Sequence, residues 1–124
     1  MKYKAICENH LYNKAYRKGK KAVTKNVVIY VLPDRLAYKL KKDNPKKELI
    51  NRIGLTVTKK IGGAVTRSRV KRIIREAYRL TDKELGVKKG YLIVLVAREG
   101  CVKAKSTELK SEMIFSFGKM GMLK

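Results

Sequence analysis

Three stretches of the chain arrange their hydrophobic residues as strands do. Val27–Leu32 is a run of mostly β-branched residues ended by Pro33, and branched side chains fit a pleated sheet. Between Arg52 and Lys59 apolar side chains alternate with glycine and threonine, which predicts a half-buried strand. Tyr91–Ala97 is apolar throughout and predicts a strand that is buried on both faces.

Three other stretches space their hydrophobic residues at helical intervals. The predicted helices are Asn9–Lys18, residues 64–80 and Ser106–Phe117. The second has the strongest apolar stripe, formed by Val70, Ile73, Ile74, Ala77 and Tyr78. The resulting order, α–β–β–α–β–α, predicts an α/β fold of the α+β two-layer sandwich type, with helices packed on a small central sheet.

Polar residues and glycines mark the expected ends of these helices. Asn9 is placed to cap the first helix, and Gly19 is placed to end it in the left-handed conformation. At the last helix, Ser106 or Thr107 is expected to cap the first turn and Gly118 to end the final one.

The length of 124 residues predicts one domain, residues 1–124. Residues 33–50 form an extended basic loop between two strands, in which Leu36, Ala37 and Leu40 allow one or two helical turns. Residues 119–124 follow the last helix and are expected to form a flexible tail. The longest apolar run, Tyr91–Ala97, is far shorter than the roughly 20 residues that cross a bilayer, so we expect no membrane span.

The charge of the chain points to a polyanionic partner. Lys and Arg number 32 against 10 Asp and Glu, which gives a net charge of +22. A chain with this imbalance attracts polyanions from a distance, and nucleic acid is the leading class, ahead of an acidic membrane surface. The two cysteines, Cys7 and Cys101, form no metal-ligand pattern, and we expect reduced thiols in a cytoplasmic protein.

The positive charge is concentrated in the strongest predicted helix and the turn before it. Between Lys59 and Arg79 eight Lys or Arg residues stand against Glu76 alone. Exposed helix faces usually mix charge signs, because like charges four residues apart repel each other. Lys71 with Arg75, and Arg75 with Arg79, are such pairs, and an anion would relieve them. Arginine suits this task because its guanidinium binds phosphate oxygens bidentately.

Tyrosines form a second candidate site. Tyr12 and Tyr16 lie one turn apart on the first helix, and Tyr30 lies on the first strand. They could be core residues whose hydroxyls find partners, or platforms on which unpaired bases stack. Spacing alone leaves both interpretations open.

No set of residues suited to protein-based catalysis is visible. A nuclease active site needs clustered carboxylates for metal ions or a histidine pair. The ten acidic residues are scattered among lysines, and His10 is the one histidine. The function is therefore expected to lie in binding, with no catalytic side chain and no metal or other cofactor bound by the protein.

The basic segment resembles the signature of the bacterial ribonuclease P protein component. The matching residues, between Arg52 and Glu76, are Lys59-Lys60, Gly62-Gly63-Ala64-Val65, Arg67-Ser68-Arg69, Lys71-Arg72 and Arg75-Glu76. The first helix also matches, with an aromatic pair four residues apart followed by Arg17, Lys18 and Gly19. The chain departs from the family pattern at Ser68, which stands where the family has Asn, and in the longer 33–50 loop.

The resemblance implies a fold, a function and two sets of site residues. The fold is a ribosomal-protein-like sandwich with a left-handed β–α–β crossover, where the general rule would favour a right-handed one. The function is that of the protein subunit of an RNA-based endoribonuclease, whose RNA removes the 5′ leader of precursor tRNA with bound Mg²⁺. The residues expected to bind the catalytic RNA are Lys59, Lys60, Arg67, Ser68, Arg69, Lys71, Arg72 and Arg75. Those expected to line the leader cleft are Tyr12, Tyr16, Lys20 and Tyr30.

The expected partners are therefore the catalytic ribonuclease P RNA and the precursor-tRNA 5′ leader, with no membrane and no obligatory protein partner. The alternative is a ribosomal or other structural RNA-binding protein with no role in tRNA maturation. A DNA-binding helix-turn-helix fits less well, because Arg52–Lys59 precedes the basic helix as a strand.

Overall fold

A computed structural model describes residues 3–6, 9–35, 39, 42–44, 46 and 49–124. Its helices are α1 (Asn9–Lys18), α2 (Ala64–Glu84) and α3 (Ser106–Lys119). Its strands are β1 (Tyr3–Ala5), β2 (Lys20–Val23), β3 (Val27–Pro33), β4 (Asn51–Thr56) and β5 (Tyr91–Ala97). Short 3-10 turns lie at Lys59–Ile61 and Glu99–Lys103.

The strands form one mixed sheet in the order β1-β4-β5-β3-β2. β4 runs parallel to both β1 and β5, whereas β3 is antiparallel to β5 and to β2. α2 connects the parallel neighbours β4 and β5, which makes the β–α–β unit that the resemblance implied. The predicted mixed α/β class is confirmed.

The two faces of the sheet carry different helices. α2 and α3 cover one face, where Val70, Ile74 and Phe117 pack against alternate strand residues such as Ile29 and Ile93. α1 covers part of the other face through Leu11 and Ala15, which pack on Leu92 and Val94. Alternate residues of each strand therefore face opposite helices. Whether two strand side chains share a surface therefore depends on whether they point to the same face of the sheet.

Two strands were missed from the sequence because they lie at the edges of the sheet. β1 has three residues and pairs only with the first half of β4. β2 exposes three of its four side chains and begins with two lysines. Lysine on an edge strand discourages pairing with other chains, and it also hides the hydrophobic alternation that identifies a strand.

Several predicted helix ends were wrong. Gly19 does not adopt a positive φ; a Cβ there would lie 2.6 Å from the Ala15 carbonyl oxygen and 3.0 Å from that of Val31. Glycine is thus required for close approach and not for a left-handed turn. α2 runs one turn beyond its predicted end, to Glu84. α3 has Lys105 at its cap position with no side-chain cap hydrogen bond, and it continues past Gly118.

The expected flexible tail is docked onto the fold. The Lys88 amide donates to the Met122 carbonyl at 2.7 Å, and the Lys124 amide donates to the Gly86 carbonyl at 3.0 Å. Met122 is 2% exposed and belongs to the main core. Gly121, with φ of +71°, makes the turn that returns Met122 to the core.

Asp34 and Arg52 close the base of the 33–50 loop. Arg52 donates from Nε and Nη2 to the Asp34 carboxylate at 2.6 and 2.8 Å, and Asp34 is 2% exposed. A bidentate pair of this kind fixes both strand ends. Residues 35, 39, 42 and 43 are helical, while the turns predicted at Leu36, Ala37 and Leu40 lie outside the described residues.

Candidate nucleic-acid interface

α2 presents two chemically different faces. Val70, Ile74, Ala77, Tyr78 and Thr81 are buried against the sheet and α3. The opposite face exposes Ser68, Arg69, Arg72 and Arg75, with Lys71 half-buried beside them. The predicted separation of apolar and basic faces is therefore present, and five of the eight residues predicted to bind the catalytic RNA lie on this one surface.

Within the described part of the chain, no ion pair neutralises the central cations of this face. Among the described residues, the recorded ion pairs join Arg52 to Asp34, Arg79 to Glu76, Lys89 to Asp82 and Lys110 to Glu84. None of them involves Lys71, Arg72 or Arg75. Arg79 is different, because its hydrogen bonds hold the pKa of Glu76 below the usual range. The basic face therefore extends from the start of α2 to Arg75 and stops at that pair.

Arg67 and Arg69 flank Ser68 at the start of α2 and differ in their surroundings. Arg69 donates from Nη1 to the Val102 carbonyl at 2.9 Å, which ties the helix to the Glu99–Lys103 turn. Arg67 is half-buried, and its Nε has no hydrogen-bond partner among the described residues. Ser68 is exposed between them. Arg69 thus has a partly structural role, while Arg67 retains an unsatisfied donor.

The turn before α2 adds two more cations. Lys59 and Lys60 are exposed in a 3-10 turn, and Ile61 anchors this turn in the core. Gly62 follows with φ of +152°, a backbone conformation that other residues rarely adopt. Lys59 and Lys60 therefore lie next to the amino end of α2, where the helix dipole also favours an anion.

Tyr12, Tyr16 and Tyr30 form a tyrosine cluster in which part of the Tyr16 ring stays exposed. The ring centroid of Tyr16 lies 5.0 Å from that of Tyr30 in an edge-on arrangement and 6.5 Å from that of Tyr12. Its hydroxyl is 2.8 Å from Thr56 Oγ1 on β4. The side chain is 38% exposed. The hydroxyl is satisfied as a core residue requires, yet the ring is open to a stacking base, so the two interpretations are not exclusive.

Tyr12 lies over a glycine of β4. A Cβ on Gly54 would approach the Tyr12 ring within 2.5 Å, so the ring rests directly on the strand backbone. Tyr12 also lines a cavity of about 210 Å³, together with Lys71 and Arg75 of α2 and with Leu55. The tyrosine cluster and the basic face therefore meet at this cavity, although α1 and α2 lie on opposite faces of the sheet.

Lys20 does not join the tyrosine cluster. β2 pairs Lys20 with Val31 and Lys21 with Tyr30. Opposite residues of an antiparallel pair lie on the same face, so Lys20 lies on the face away from α1. Lys21 takes the expected place, with Nζ 5.8 Å from the Tyr30 ring centroid, a distance typical of a cation–π contact.

Sequence reasoning therefore missed two residues that contact the tyrosine cluster, Lys21 and Thr56. The sequence signal for Lys21 was the turn at Thr24–Asn26, since a hairpin there sets Lys21 opposite Tyr30. Thr56 lay in the predicted alternating strand, on the same face as Gly54. Nothing local indicated that this face receives Tyr16.

The described residues include no metal-binding cluster and no activated cysteine thiol. No three His, Cys, Asp or Glu side chains among them are placed to hold a metal ion. Burial, with a smaller effect of Glu112, raises the pKa of the Cys101 thiol to about 11, so this thiol stays protonated at neutral pH. Cys7 lies outside the described residues. No helix in the described part of the chain is long and apolar enough to cross a membrane.

Comparison with known proteins agrees with the resemblance in the basic segment. A family model described as Ribonuclease P matches residues 1–121. A ribonuclease P protein component of Alkaliphilus oremlandii (strain OhILAs) is 37% identical over 116 residues, covering 94% of this chain and 90% of the relative. That of Clostridium acetobutylicum is 38% identical over 123 residues, covering 99% and 93%.

Solved structures show the same fold. The RNase P protein of Staphylococcus aureus superposes with a TM-score of 0.74 at 20% identity, covering 99% of this chain and 100% of that one. The protein from Thermotoga maritima superposes with a TM-score of 0.66 at 18% identity, covering 87% and 89%. With a family match over nearly the whole length, relatives above 30% identity and a shared fold, the chain belongs to the ribonuclease P protein family.

Proposed function

We propose that this chain is the protein subunit of a ribonuclease P that matures the 5′ end of tRNA, and that it binds both the catalytic RNA and the precursor-tRNA leader. The observation that carries the proposal is the cavity at which Tyr12 meets Lys71 and Arg75. At this cavity the basic face, whose Lys71 and Arg75 form no ion pair within the described residues, meets the tyrosine cluster. A duplex needs only the cations, whereas a single strand leaving a folded RNA uses both surfaces.

The basic face is assigned to the catalytic RNA. Arg72 and Arg75 are exposed, and Arg67 has an unsatisfied donor. Guanidinium groups suit phosphate oxygens because they donate two parallel hydrogen bonds. Lys59, Lys60, Ser68, Arg69 and Lys71 complete this surface, with Arg69 restrained by the Val102 carbonyl.

The tyrosine cluster is assigned to the leader. Tyr16 offers its ring to an unpaired base, Tyr30 and Tyr12 support it, and Lys21 lies close enough to meet a phosphate. Base–aromatic stacking tolerates different sequences because every base has a π-face. We therefore expect this cleft to accept leaders of varied sequence.

Cleavage itself is assigned to the RNA subunit with its bound Mg²⁺, and the protein supplies binding energy and position. Neutralising phosphates lowers the repulsion between the two RNAs, a task for which high Mg²⁺ would otherwise be needed. We place this work in the cytoplasm, with no further protein partner required.

The test adds the purified chain to a bacterial ribonuclease P RNA and a precursor tRNA at a Mg²⁺ concentration too low for the RNA alone. We expect 5′ maturation to be restored, with leader and mature tRNA as the products. A structural RNA-binding protein, the alternative that the comparisons do not favour, would leave cleavage unchanged. A matched basic control, such as an unrelated ribosomal protein of similar charge, shows whether simple charge neutralisation suffices.

A further inference from the structure

A second groove lies outside the surfaces described so far. It has a volume of about 450 Å³, its apolar wall includes Leu32, Tyr91 and Met120, and its rim includes Lys18, Lys20 and Lys88. These residues come from α1, β2, β3, the connection between α2 and β5, the start of β5 and the segment after α3. Lys20, which the resemblance assigned to the leader cleft, therefore lies on this groove.

The rim carries unbalanced positive charge. Lys18, Lys20 and Lys88 are all exposed, and none is found in an ion pair in the described part of the chain. No acidic side chain of the described residues lines the groove. Three exposed cations around an apolar wall create a positive local potential, and they complement a ligand that combines an apolar body with negative charge.

The docked carboxyl-terminal segment builds one wall of this groove. The Met122 amide donates to the Phe117 carbonyl at 2.7 Å, and Val87 forms a bridge with Leu123. At Gly121, which lines the groove, a Cβ would meet no atom within 4 Å. The wall is thus held by hydrogen bonds and by the buried Met122 while the space beside Gly121 stays open.

We propose that this groove binds an unstacked nucleotide of single-stranded RNA, with the base against Tyr91 and the flanking phosphates on Lys18, Lys20 and Lys88. The assignment rests on the proposed function, because it extends the path of the leader beyond the tyrosine cluster. Leu32 packs against the same small core as Tyr12 and Tyr30, and it also lines the groove. A strand that leaves Tyr30 along β3 reaches Pro33 after about 10 Å.

The chemistry of the wall favours RNA over an acidic peptide. Aromatic contact with a base is sequence-tolerant, and separated cations match phosphates that are spaced along a backbone. An acidic peptide would satisfy the lysines equally well but would make no specific use of the Tyr91 ring. The tests therefore vary the ring and the charge separately.

The first experiment measures precursor-tRNA affinity of the complete holoenzyme as the leader is lengthened one nucleotide at a time. For the wild type we expect affinity to rise in two steps, the first at the tyrosine cluster and the second at the groove. Tyr91→Leu should remove the second step and weaken long-leader binding by roughly 5- to 150-fold, the equivalent of one stacked base. Lys88→Gln should lower the same step, while Lys83→Gln, an exposed lysine of α2 outside the groove, should leave both steps intact.

A single step in the wild type, or a second step unaffected by Tyr91→Leu and Lys88→Gln in proteins of normal melting temperature, would overturn the groove assignment. That outcome leaves the proposed function standing, since the first step and the restored cleavage do not need the groove.

The second experiment uses the free chain and does not depend on the RNA subunit. A single-stranded oligouridylate carrying 4-thiouridine is cross-linked to the protein, and the modified peptides are mapped. We expect cross-links at Tyr91 or Met120 that Tyr91→Leu and Lys88→Gln reduce, with little competition from polyglutamate. Absence of cross-links in this region, or equal competition by polyglutamate, would contradict a nucleotide site even if the chain restores tRNA maturation.

Discussion

At the scale of single residues, the candidate surfaces contain side chains that make contacts within the fold and still expose part of their own surface. Tyr16 is an example, because its hydroxyl is paired with Thr56 while its ring stays 38% exposed. Gly54 contributes in a different way, since only the absence of a Cβ lets the Tyr12 ring lie on β4. Substitutions at such residues must be chosen so that an effect on stability can be separated from an effect on the proposed binding.

We predict that Tyr16→Ala weakens holoenzyme binding of leader-bearing precursor tRNA by about 1–3 kcal/mol, because one stacking surface is lost. Tyr16→Phe should keep most of this affinity, since it retains the ring and removes only the hydroxyl that bonds to Thr56. The measurement is an equilibrium binding assay with precursor and with mature tRNA, and melting curves accompany it. Equal losses on both RNAs, in a variant of normal stability, would refute the leader assignment.

At the scale of elements, α2 combines a core face with a cationic face, and its two ends are fixed differently. Its start is tied to the Glu99–Lys103 turn by Arg69. Its far end is joined to the connection before β5 by Asp82, which accepts the Val87 amide at 2.9 Å and Lys89 Nζ at 2.7 Å. One set of contacts orients the basic face, and the other fixes the crossover.

Arg72 tests the cationic face of α2. It is exposed and forms no ion pair in the described part of the chain, so Arg72→Ala should leave the melting temperature nearly unchanged. Its loss should weaken binding of the catalytic RNA and reduce the slope of log affinity against log salt by about one, as expected for one phosphate contact. Titrations at several salt concentrations measure this, with Lys83→Ala in the last turn of α2 as the control. A slope equal to that of the control would remove Arg72 from the interface.

Asp82 tests the far end of α2 through pH. Burial alone would raise the pKa of Asp82, but the hydrogen bonds from Lys89 and Val87 and the nearby positive charges outweigh it and hold this pKa below 3.8, its ordinary value. A carboxylate whose pKa is lower in the folded state stabilises the protein above its unfolded pKa, and this contribution is lost as pH falls through the folded value.

We therefore expect Asp82→Asn to lower the melting temperature at neutral pH, and the difference from wild type to shrink as pH falls below 3.8. Thermal unfolding across an acid pH series measures it. Glu84→Gln is the matched control, because its carboxylate pairs with Lys110 at the surface and should contribute little. A pH-independent difference for Asp82→Asn would show that hydrogen bonding alone, without the charge, fixes this connection.

At the scale of the whole molecule, many of the few carboxylates are already engaged within the protein, so the remaining surface charge is strongly positive. Of the ten acidic residues, at least five form ion pairs or accept hydrogen bonds from other residues of the chain, namely Asp34, Glu76, Asp82, Glu84 and Glu112. Glu112, for example, accepts both the backbone amide and the side-chain amide of Asn26 at 2.8 and 2.7 Å. Few carboxylates remain to neutralise the basic surfaces, which therefore attract polyanions such as RNA.

The first consequence concerns RNA affinity. If six to ten phosphates are neutralised, affinity for the catalytic RNA should fall roughly 10³–10⁵-fold between about 50 and 200 mM monovalent salt, because bound counterions are released on association. Filter binding or fluorescence titration across this range measures the slope. A flat response would be incompatible with an interface built from Arg67, Arg72 and Arg75.

The second consequence concerns stability. Like charges at +22 oppose the compact state, so sulfate or phosphate should raise the melting temperature by binding the basic sites of the folded protein. Uncharged osmolytes matched for their effect on water serve as the control. A melting temperature that rises no further in sulfate than in the osmolyte would argue against preformed anion sites.

The sequence by itself determined the elements with strong internal periodicity. β5 begins and ends at the predicted residues, and α1 spans its predicted range, because burial of one face or of both leaves a regular pattern. It also placed the positive charge on one face of α2, and the family signature identified the RNA partner class. These features depend on residues that are close together in the chain.

Only the tertiary structure decided how distant segments share a surface. The hairpin register between β2 and β3 puts Lys21, and not Lys20, beside Tyr30, and a shift of one residue would exchange the two. The carboxyl-terminal residues are docked by hydrogen bonds of Met122 with Lys88 and of Lys124 with Gly86, pairs that lie more than thirty positions apart in the chain. The cavity between Tyr12 and Arg75 joins helices on opposite faces of the sheet. No local pattern encodes such contacts, because each arises when separate elements pack together.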